Sequence, residues 1–491
     1  MRLSLPQIDR ARANRIAATV LAFLGSLGFI IPNLARGAWL SDETYYMIQG
    51  QNYVNFLVRP TSGDFTRFIL AYLNTPAQEA TGLANHPFFG KLVIGFFTLL
   101  SGSSVLSGYC SGLPYFYLCS LLMPTANQLF WARLPSTVIA ASTTSIVFYL
   151  VASRFGLLSA TLAGVFLLSD ATFLQYARLA MLDMYAATFL TASIAVALSF
   201  TMRGKALYLL GILSGLMLAS KFALGVVIAF LFVLVIVLSQ GAWKAVVVCV
   251  VLGLGVFFLV DFYYLLVSPS YLLSGLLAVS RPIPANIGMP QGPLAAFLAT
   301  YAWQAYYSIP HVWSLPETAL VVISLALASV LRIKRKNDRT GIDILFFASA
   351  TLGLATFTWE RPLVLLAPIS AMFVSTTVAQ FSREYIPKRG RAIILAGAIG
   401  ASLTQLVLIA PQACYSHALF QYDASTYIPA ILGFPTPRDA GTVVLCFLAL
   451  FAASTILPLL CREEFGLAKS KSGYSSRPRV NQVETGGYLP A

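Results

Sequence analysis

Apolar runs long enough to cross a bilayer recur from residue 16 to residue 460, and such a chain has few folds open to it. In hydrocarbon every backbone N–H and C=O must find its partner inside the protein, so only helices and closed barrels span a membrane. A spanning helix needs roughly 20 apolar residues and a spanning strand only about 10. The runs here have helical length: 16–34, 133–151, 156–173, 183–200, 206–220, 222–240, 245–267, 316–332, 342–358, 362–379, 392–411 and 441–460. They predict an all-α polytopic membrane protein with about twelve crossings. The balance of residues agrees, with 58% hydrophobic and 10% charged, against roughly 25% charged in soluble domains. That excludes a soluble enzyme, a disordered chain and a disulfide-rich scaffold. The six cysteines (Cys110, Cys119, Cys249, Cys414, Cys446 and Cys461) show no CxxC spacing and read as small apolar residues.

The first run follows Arg2, Arg10, Arg12 and Arg15 and is expected to stay as an uncleaved helix rather than act as a signal peptide. Basic residues collect in cytoplasmic loops, so charge tests the threading. With the N-terminus inside, the inner segments hold 22 of the 32 basic residues and 7 of the 18 acids, including the RIKRKNDR run at 332–339. The net charge of +14 then records orientation and implies no nucleic-acid partner. Both termini are expected to be cytoplasmic. The expected organisation is a cytoplasmic stretch 1–15, a membrane domain 16–460 and a disordered polar tail 461–491. Outer loops are expected at 35–88 and 268–315. The broken apolar stretch 89–126 reads as juxtamembrane or partly inserted helices returning to the same side.

This threading puts a small set of ionisable residues near the outer surface. SDETYY, with Asp42 and Glu43, directly follows the first helix. NHPFFGK carries His86 and Lys91, WARLPS carries Arg133, YARLAMLDMY carries Arg178 and Asp183, and LASKFALG carries Lys221. A charge at membrane depth is costly, so each is expected to be functional or paired. Plainer roles stand beside the functional ones. Ser41 is a suitable cap for a surface helix bearing the two acids. Arg178 and Asp183 are spaced to pair with each other, and Arg133 and Lys221 are long enough to snorkel. Together, acids and bases at one membrane surface suit a reaction in which a carboxylate deprotonates a nucleophile and cations neutralise a phosphate.

Taken in order, the DE pair, HPFFGK, WARLPS, ARLAMLDMYAATFL and GILSGLMLASKFALG resemble the dolichyl-phosphate-mannose protein O-mannosyltransferases and their prokaryotic relatives. The chain is also similar to the lipid A aminoarabinose transferases, which share the wider GT-C glycosyltransferase fold. The ordered match covers about residues 15–235, and YYSIPHVWSLPE at 306–317 loosely resembles a later family segment. There are departures. The family's HPPLGK stands here as HPFFGK, and Ala177 replaces the usual Ser before Arg178. The eukaryotic lumenal domain has no room.

The resemblance implies a GT-C membrane glycosyltransferase whose donor is a polyprenyl-phosphate-linked sugar. The acceptor would be a protein hydroxyl, a lipid or a glycan on the outer or lumenal face. Asp42 is then the general base of an inverting transfer. Glu43 and Asp183 orient the sugar or the cations. Lys91, Arg133, Arg178 and Lys221, with His86, hold the donor. No cofactor is implied, and there is no DxD pair. A divalent metal on His86, His311 or His417 is a secondary alternative. The expected setting is the plasma membrane, or the endoplasmic reticulum in a eukaryote. A lipid-linked-sugar flippase or another transporter is the competing class, although no internal repeat of the transporter kind is evident.

Overall fold

The structure is a computed structural model. It describes residues 10–32, 34, 35, 41–58, 87–102, 124–200, 203–221, 224–239, 243–267, 317, 319–328, 331 and 364–412. Every regular element among them is helical. In chain order these are α1 (Arg10–Ile30), α2 (Ser41–Val58), α3 (Phe88–Leu99), α4 (Ala126–Phe155), α5 (Leu157–Ser169), α6 (Ala171–Ala177), α7 (Leu182–Ser199), α8 (Lys205–Ser220), α9 (Leu224–Ser239) and α10 (Trp243–Val267). They continue with α11 (Ala319–Ala328), α12 (Ala367–Tyr385) and α13 (Lys388–Gln412).

Four of these are long and apolar enough to cross a membrane: α1, α4, α7 and α10, the last over Trp243–Asp261. Shorter apolar helices pack beside them. The protein is membrane-embedded and passes through the bilayer more than once. The predicted runs 342–358 and 441–460, the loop 268–315 and the tail 461–491 lie outside the described residues, as does most of the loop 35–88. The outer face of α10 carries a row of exposed apolar side chains, with Leu259 78% exposed. In water such a ridge would be a liability; against acyl chains it is the ordinary surface.

Local chemistry sets the ends of the helices that matter. α4 starts at Ala126, earlier than its apolar run, because Thr125 and Gln128 form a reciprocal cap. The Gln128 N–H donates to Thr125 Oγ1 at 3.2 Å, and the Thr125 N–H donates to Gln128 Oε1 at 2.9 Å. α4 stops at Gly156, whose φ of 92° suits glycine and turns the chain into α5. The run 156–173 is not one helix. Asp170 breaks it, accepting the Phe173 N–H at 2.8 Å and capping the short α6. Hydroxyls inside these helices are satisfied locally: Ser26, Thr98, Thr144 and Thr191 each donate to the carbonyl four residues earlier.

Two glycine contacts set how closely helices approach. A Cβ on Gly50 of α2 would strike the Lys91 carbonyl oxygen and come 2.7 Å from the Gly95 nitrogen. A Cβ on Gly95 of α3 would strike the Gly50 backbone in turn. The pair α2–α3 therefore packs backbone on backbone, as small residues permit in membranes. Gly215 of α8 meets the Gly253 carbonyl oxygen and Val256 of α10 in the same way. α4 lies at the centre, packed against α1, α3, α5, α7 and α12.

Candidate active site

The site is built where α1 ends, α2, α3, α4 and α7 begin, and α6 and α8 finish. Arg133 lies two turns into α4 and is 1% exposed, and Glu43, in the first turn of α2, is wholly buried. They form a two-point ion pair, Arg133 Nε to Glu43 Oε1 at 2.8 Å and Nη2 to Oε2 at 2.7 Å. The third nitrogen, Nη1, donates to the Leu34 carbonyl at 2.9 Å. Glu43 Oε1 also accepts the Ala180 N–H at 2.8 Å. One acid–base pair thus joins the chain leaving α1, the start of α2, the body of α4 and the link between α6 and α7. Arg133 is not a snorkelling residue.

The α6–α7 link is held from both sides. Thr137 of α4 donates to the Ala177 carbonyl at 2.9 Å, and Arg178 Nη2 donates to the Pro32 carbonyl at 2.9 Å. Arg178 and Asp183 do not form the pair that their spacing invites. The residues between them leave the helix, and Asp183, in the first turn of α7, takes Lys221 instead. Lys221 follows α8 directly, so this pair ties the end of α8 to the start of α7. Both side chains are largely buried.

Lys91 stands in the first turn of α3 and is fully buried. Its helix is pressed onto α2 by the Gly50–Gly95 contact. Gly90, next to it, faces Leu182 and Tyr185 of α7, and a Cβ there would have to displace Leu182 Cδ2, 2.6 Å from the position. Asp261 of α10 is fully buried as well. The sequence reading passed over Asp261, although an acid inside the run 245–267 was itself the signal.

A second buried polar cluster supports the break between α5 and α6. Ser169 Oγ donates to Glu317 Oε1. The Glu317 N–H donates to Gln405 Oε1 at 2.8 Å, and Gln405 Nε2 donates to the Ser169 carbonyl at 3.2 Å. It fastens Glu317, just ahead of α11, and α13 to the turn that leads to Arg178. None of these residues was singled out from the sequence, since their partners lie far apart in the chain.

Of the residues picked from the sequence, Glu43, Arg133, Arg178, Asp183, Lys91 and Lys221 therefore sit on elements that meet at these ends. Asp42 lies beside Glu43 in the first turn of α2, but its side chain is outside the described residues. So are His86, His311 and His417. Ser41 falls inside α2 rather than ahead of it. Among the described residues no group of three or more His, Cys, Asp or Glu side chains is placed to hold a metal.

Chemically, the arrangement separates two jobs. Glu43 accepts two hydrogen bonds from the Arg133 guanidinium and one from the Ala180 N–H, so its oxygens are engaged by the fold. Its work is to organise Arg133 and the Ala180 backbone. The acid left beside it on α2 is Asp42.

Residues 63–281 match the family model described as dolichyl-phosphate-mannose-protein mannosyltransferase. The matched stretch is less than half of the chain, and the motifs from HPFFGK to LASKFALG lie within it. Two crystal structures of ArnT from Cupriavidus metallidurans are similar at 15% identity. The apo form gives a TM-score of 0.47, with 91% of this chain and 78% of that one covered. The form bound to undecaprenyl phosphate gives 0.46, with 90% and 77% covered. No curated protein sequence matches the chain significantly.

Proposed function

We propose that the chain moves a sugar from a polyprenyl-phosphate donor to an acceptor hydroxyl on the outer or lumenal face, with inversion at the anomeric carbon. Both termini are cytoplasmic in this reading. Asp42 takes the proton from the acceptor hydroxyl, and that oxygen attacks the anomeric carbon. The bond from the anomeric carbon to the phosphate oxygen breaks, and lipid phosphate leaves with one more negative charge than it brought. A positioned carboxylate is worth roughly 10²–10⁴ in rate. Charge stabilisation of the leaving phosphate is often the larger contribution. Lys91, Arg178 and Lys221 supply it, and His86 contacts the donor. Arg133 serves mainly through Glu43, holding the acids of α2 against the α6–α7 link. Asp183 holds Lys221. Metal is at most secondary.

The observation that carries this reading is the Glu43–Arg133–Ala180 junction. It joins the start of α2, the helix that carries Asp42 in its first turn, to the link between α6 and α7. The match over residues 63–281 supports the donor class, a polyprenyl-phosphate sugar. A site at the membrane surface also suits a donor whose tail stays in the bilayer while its head is worked on.

The test places the purified full-length chain in vesicles with radiolabelled undecaprenyl-phosphate sugars and a panel of peptide, glycan and lipid acceptors. Release of undecaprenyl phosphate with label on an acceptor is expected. Movement of intact labelled lipid across the vesicle without release would replace the enzyme with a flippase.

A further inference from the structure

The stretch 157–177 holds two helices where one would otherwise run, and the break between them falls at a single residue. Asp170 has φ −67° and ψ 117°, an extended conformation, between the end of α5 and the start of α6. In an unbroken helix the Phe173 N–H would donate to the Ser169 carbonyl, four residues back. Here it donates to Asp170 Oδ1 at 2.8 Å, and the Leu174 N–H resumes the helical pattern on the Asp170 carbonyl at 2.9 Å. The exchange releases the Ser169 carbonyl, which Gln405 of α13 takes, Nε2 to O at 3.2 Å. The same side-chain amide accepts the Glu317 N–H at 2.8 Å, and the Glu317 carboxylate accepts the Ser169 hydroxyl. Ser169, Glu317 and Gln405 thus close a ring of hydrogen bonds, and all three are buried, as is Asp170. Irregular backbone inside a membrane protein is stable only where neighbours satisfy the groups it frees. Asp170 satisfies the freed N–H and Gln405 the freed carbonyl, so side chains hold this break, with neither proline nor glycine in it.

The break sets the course of α6. That helix has seven residues and ends on Arg178, whose N–H closes it on the Gln175 carbonyl at 3.0 Å. At that end Thr137 holds the Ala177 carbonyl, and Arg178 Nη2 holds the Pro32 carbonyl. A helix this short, about 10 Å long, moves as one rod, so a change of direction at Asp170 is felt at Arg178. We propose that Asp170 and Gln405 are positioning residues: by holding the α5–α6 break they set Arg178 where it meets the anionic head of a polyprenyl phosphate. The inference rests on the donor-phosphate role given to Arg178 above. The competing state is a continuous helix over 157–177, which carries Arg178 elsewhere. Donor affinity then follows the fraction of molecules in which the helix is broken.

The test is binding of undecaprenyl phosphate to the purified full-length chain in detergent. Asp170→Ala is expected to bind about five- to tenfold more weakly, the size of shift that loss of a side-chain cap brings. Asp170→Asn keeps an oxygen that caps and should follow wild type. Gln405→Leu, which leaves the Ser169 carbonyl without this donor, should resemble Asp170→Ala. Arg178→Gln should bind weakly, and Asp170→Ala/Arg178→Gln no more weakly than Arg178→Gln alone. A role confined to stability would lower the melting temperature and leave the affinity of the folded protein unchanged. Wild-type binding by folded Asp170→Ala or Gln405→Leu, with weak binding by Arg178→Gln, overturns the positioning role alone. So does a further full loss in the double variant, because Asp170 would then act elsewhere. Wild-type binding by Arg178→Gln overturns the phosphate role of Arg178 and the inference with it. Should neither Asp170→Ala nor Gln405→Leu fold, amide hydrogen exchange on the wild-type chain decides. A ligand that needs the break must stabilise it in turn, so undecaprenyl phosphate should slow exchange at Phe173 and Leu174, and unchanged exchange overturns the inference.

Discussion

Replacing Glu43 by Ala removes the acceptor for two Arg133 nitrogens and for the Ala180 N–H in one step. Arg133, 1% exposed, keeps only the Leu34 carbonyl among the contacts described above. Breaking a buried ion pair from one side costs about 3–5 kcal/mol, because the charge left behind is not compensated. Removing both charges in well-packed form is far milder, since the desolvation cost disappears with them. Glu43→Ala and Arg133→Met should therefore each lower stability by about 3–5 kcal/mol, and Glu43→Gln/Arg133→Met should lose much less than their sum. The assay is the unfolding midpoint of the purified protein in detergent, read by loss of the monodisperse peak after heating. A double variant whose loss equals the sum of the two single losses would refute the pairing. The same variants should lose activity even where they stay folded, because the junction that holds α2 against the α6–α7 link has gone.

Gly95→Ala places a methyl group against the Gly50 backbone, which cannot move aside as a side chain does, so α2 and α3 must separate. The expected cost is about 1–3 kcal/mol, with weaker undecaprenyl phosphate binding because Lys91 moves; unchanged melting and binding would contradict the crossing. Single cysteines in the loop 35–88 should react with an impermeant maleimide from the outer face of sealed vesicles, and reaction from the cytoplasmic face would reverse the threading. Activity should persist in chelator. Its loss in chelator and return with a divalent ion would favour a metal on His86, His311 or His417.

The membrane class and the position of most helices were legible because apolar runs and spans are nearly the same thing. The runs at 183–200, 206–220 and 245–267 match α7, α8 and α10 to within two residues at each end. Helix ends set by polar side chains were harder to see. Thr125 and Gln128 extend α4 back into a stretch read as irregular, and Asp170 splits a run that hydropathy alone joins. At the site, Glu43, Lys91, Arg133, Arg178, Asp183 and Lys221 stood out in the sequence by their charge, but their partners did not. Arg178 and Asp183 are five residues apart and looked like a pair. Glu43 and Arg133 are 90 apart, and nothing local joins them. A short non-helical link after α6 decides the matter, sending Arg178 to Pro32 and Asp183 to Lys221. Asp261 was legible in principle and was lost because its run was counted only as a span.

Asp42, in the first turn of α2 beside the ionic junction, is the proposed base of the sugar transfer. The direct measurement is single-turnover release of undecaprenyl phosphate from labelled donor by wild type and Asp42→Asn, with excess acceptor and with folding checked by gel filtration. A rate lower by about 10²–10⁴ is expected in Asp42→Asn, with undecaprenyl phosphate binding unchanged. Release at the wild-type rate by the folded variant would contradict it.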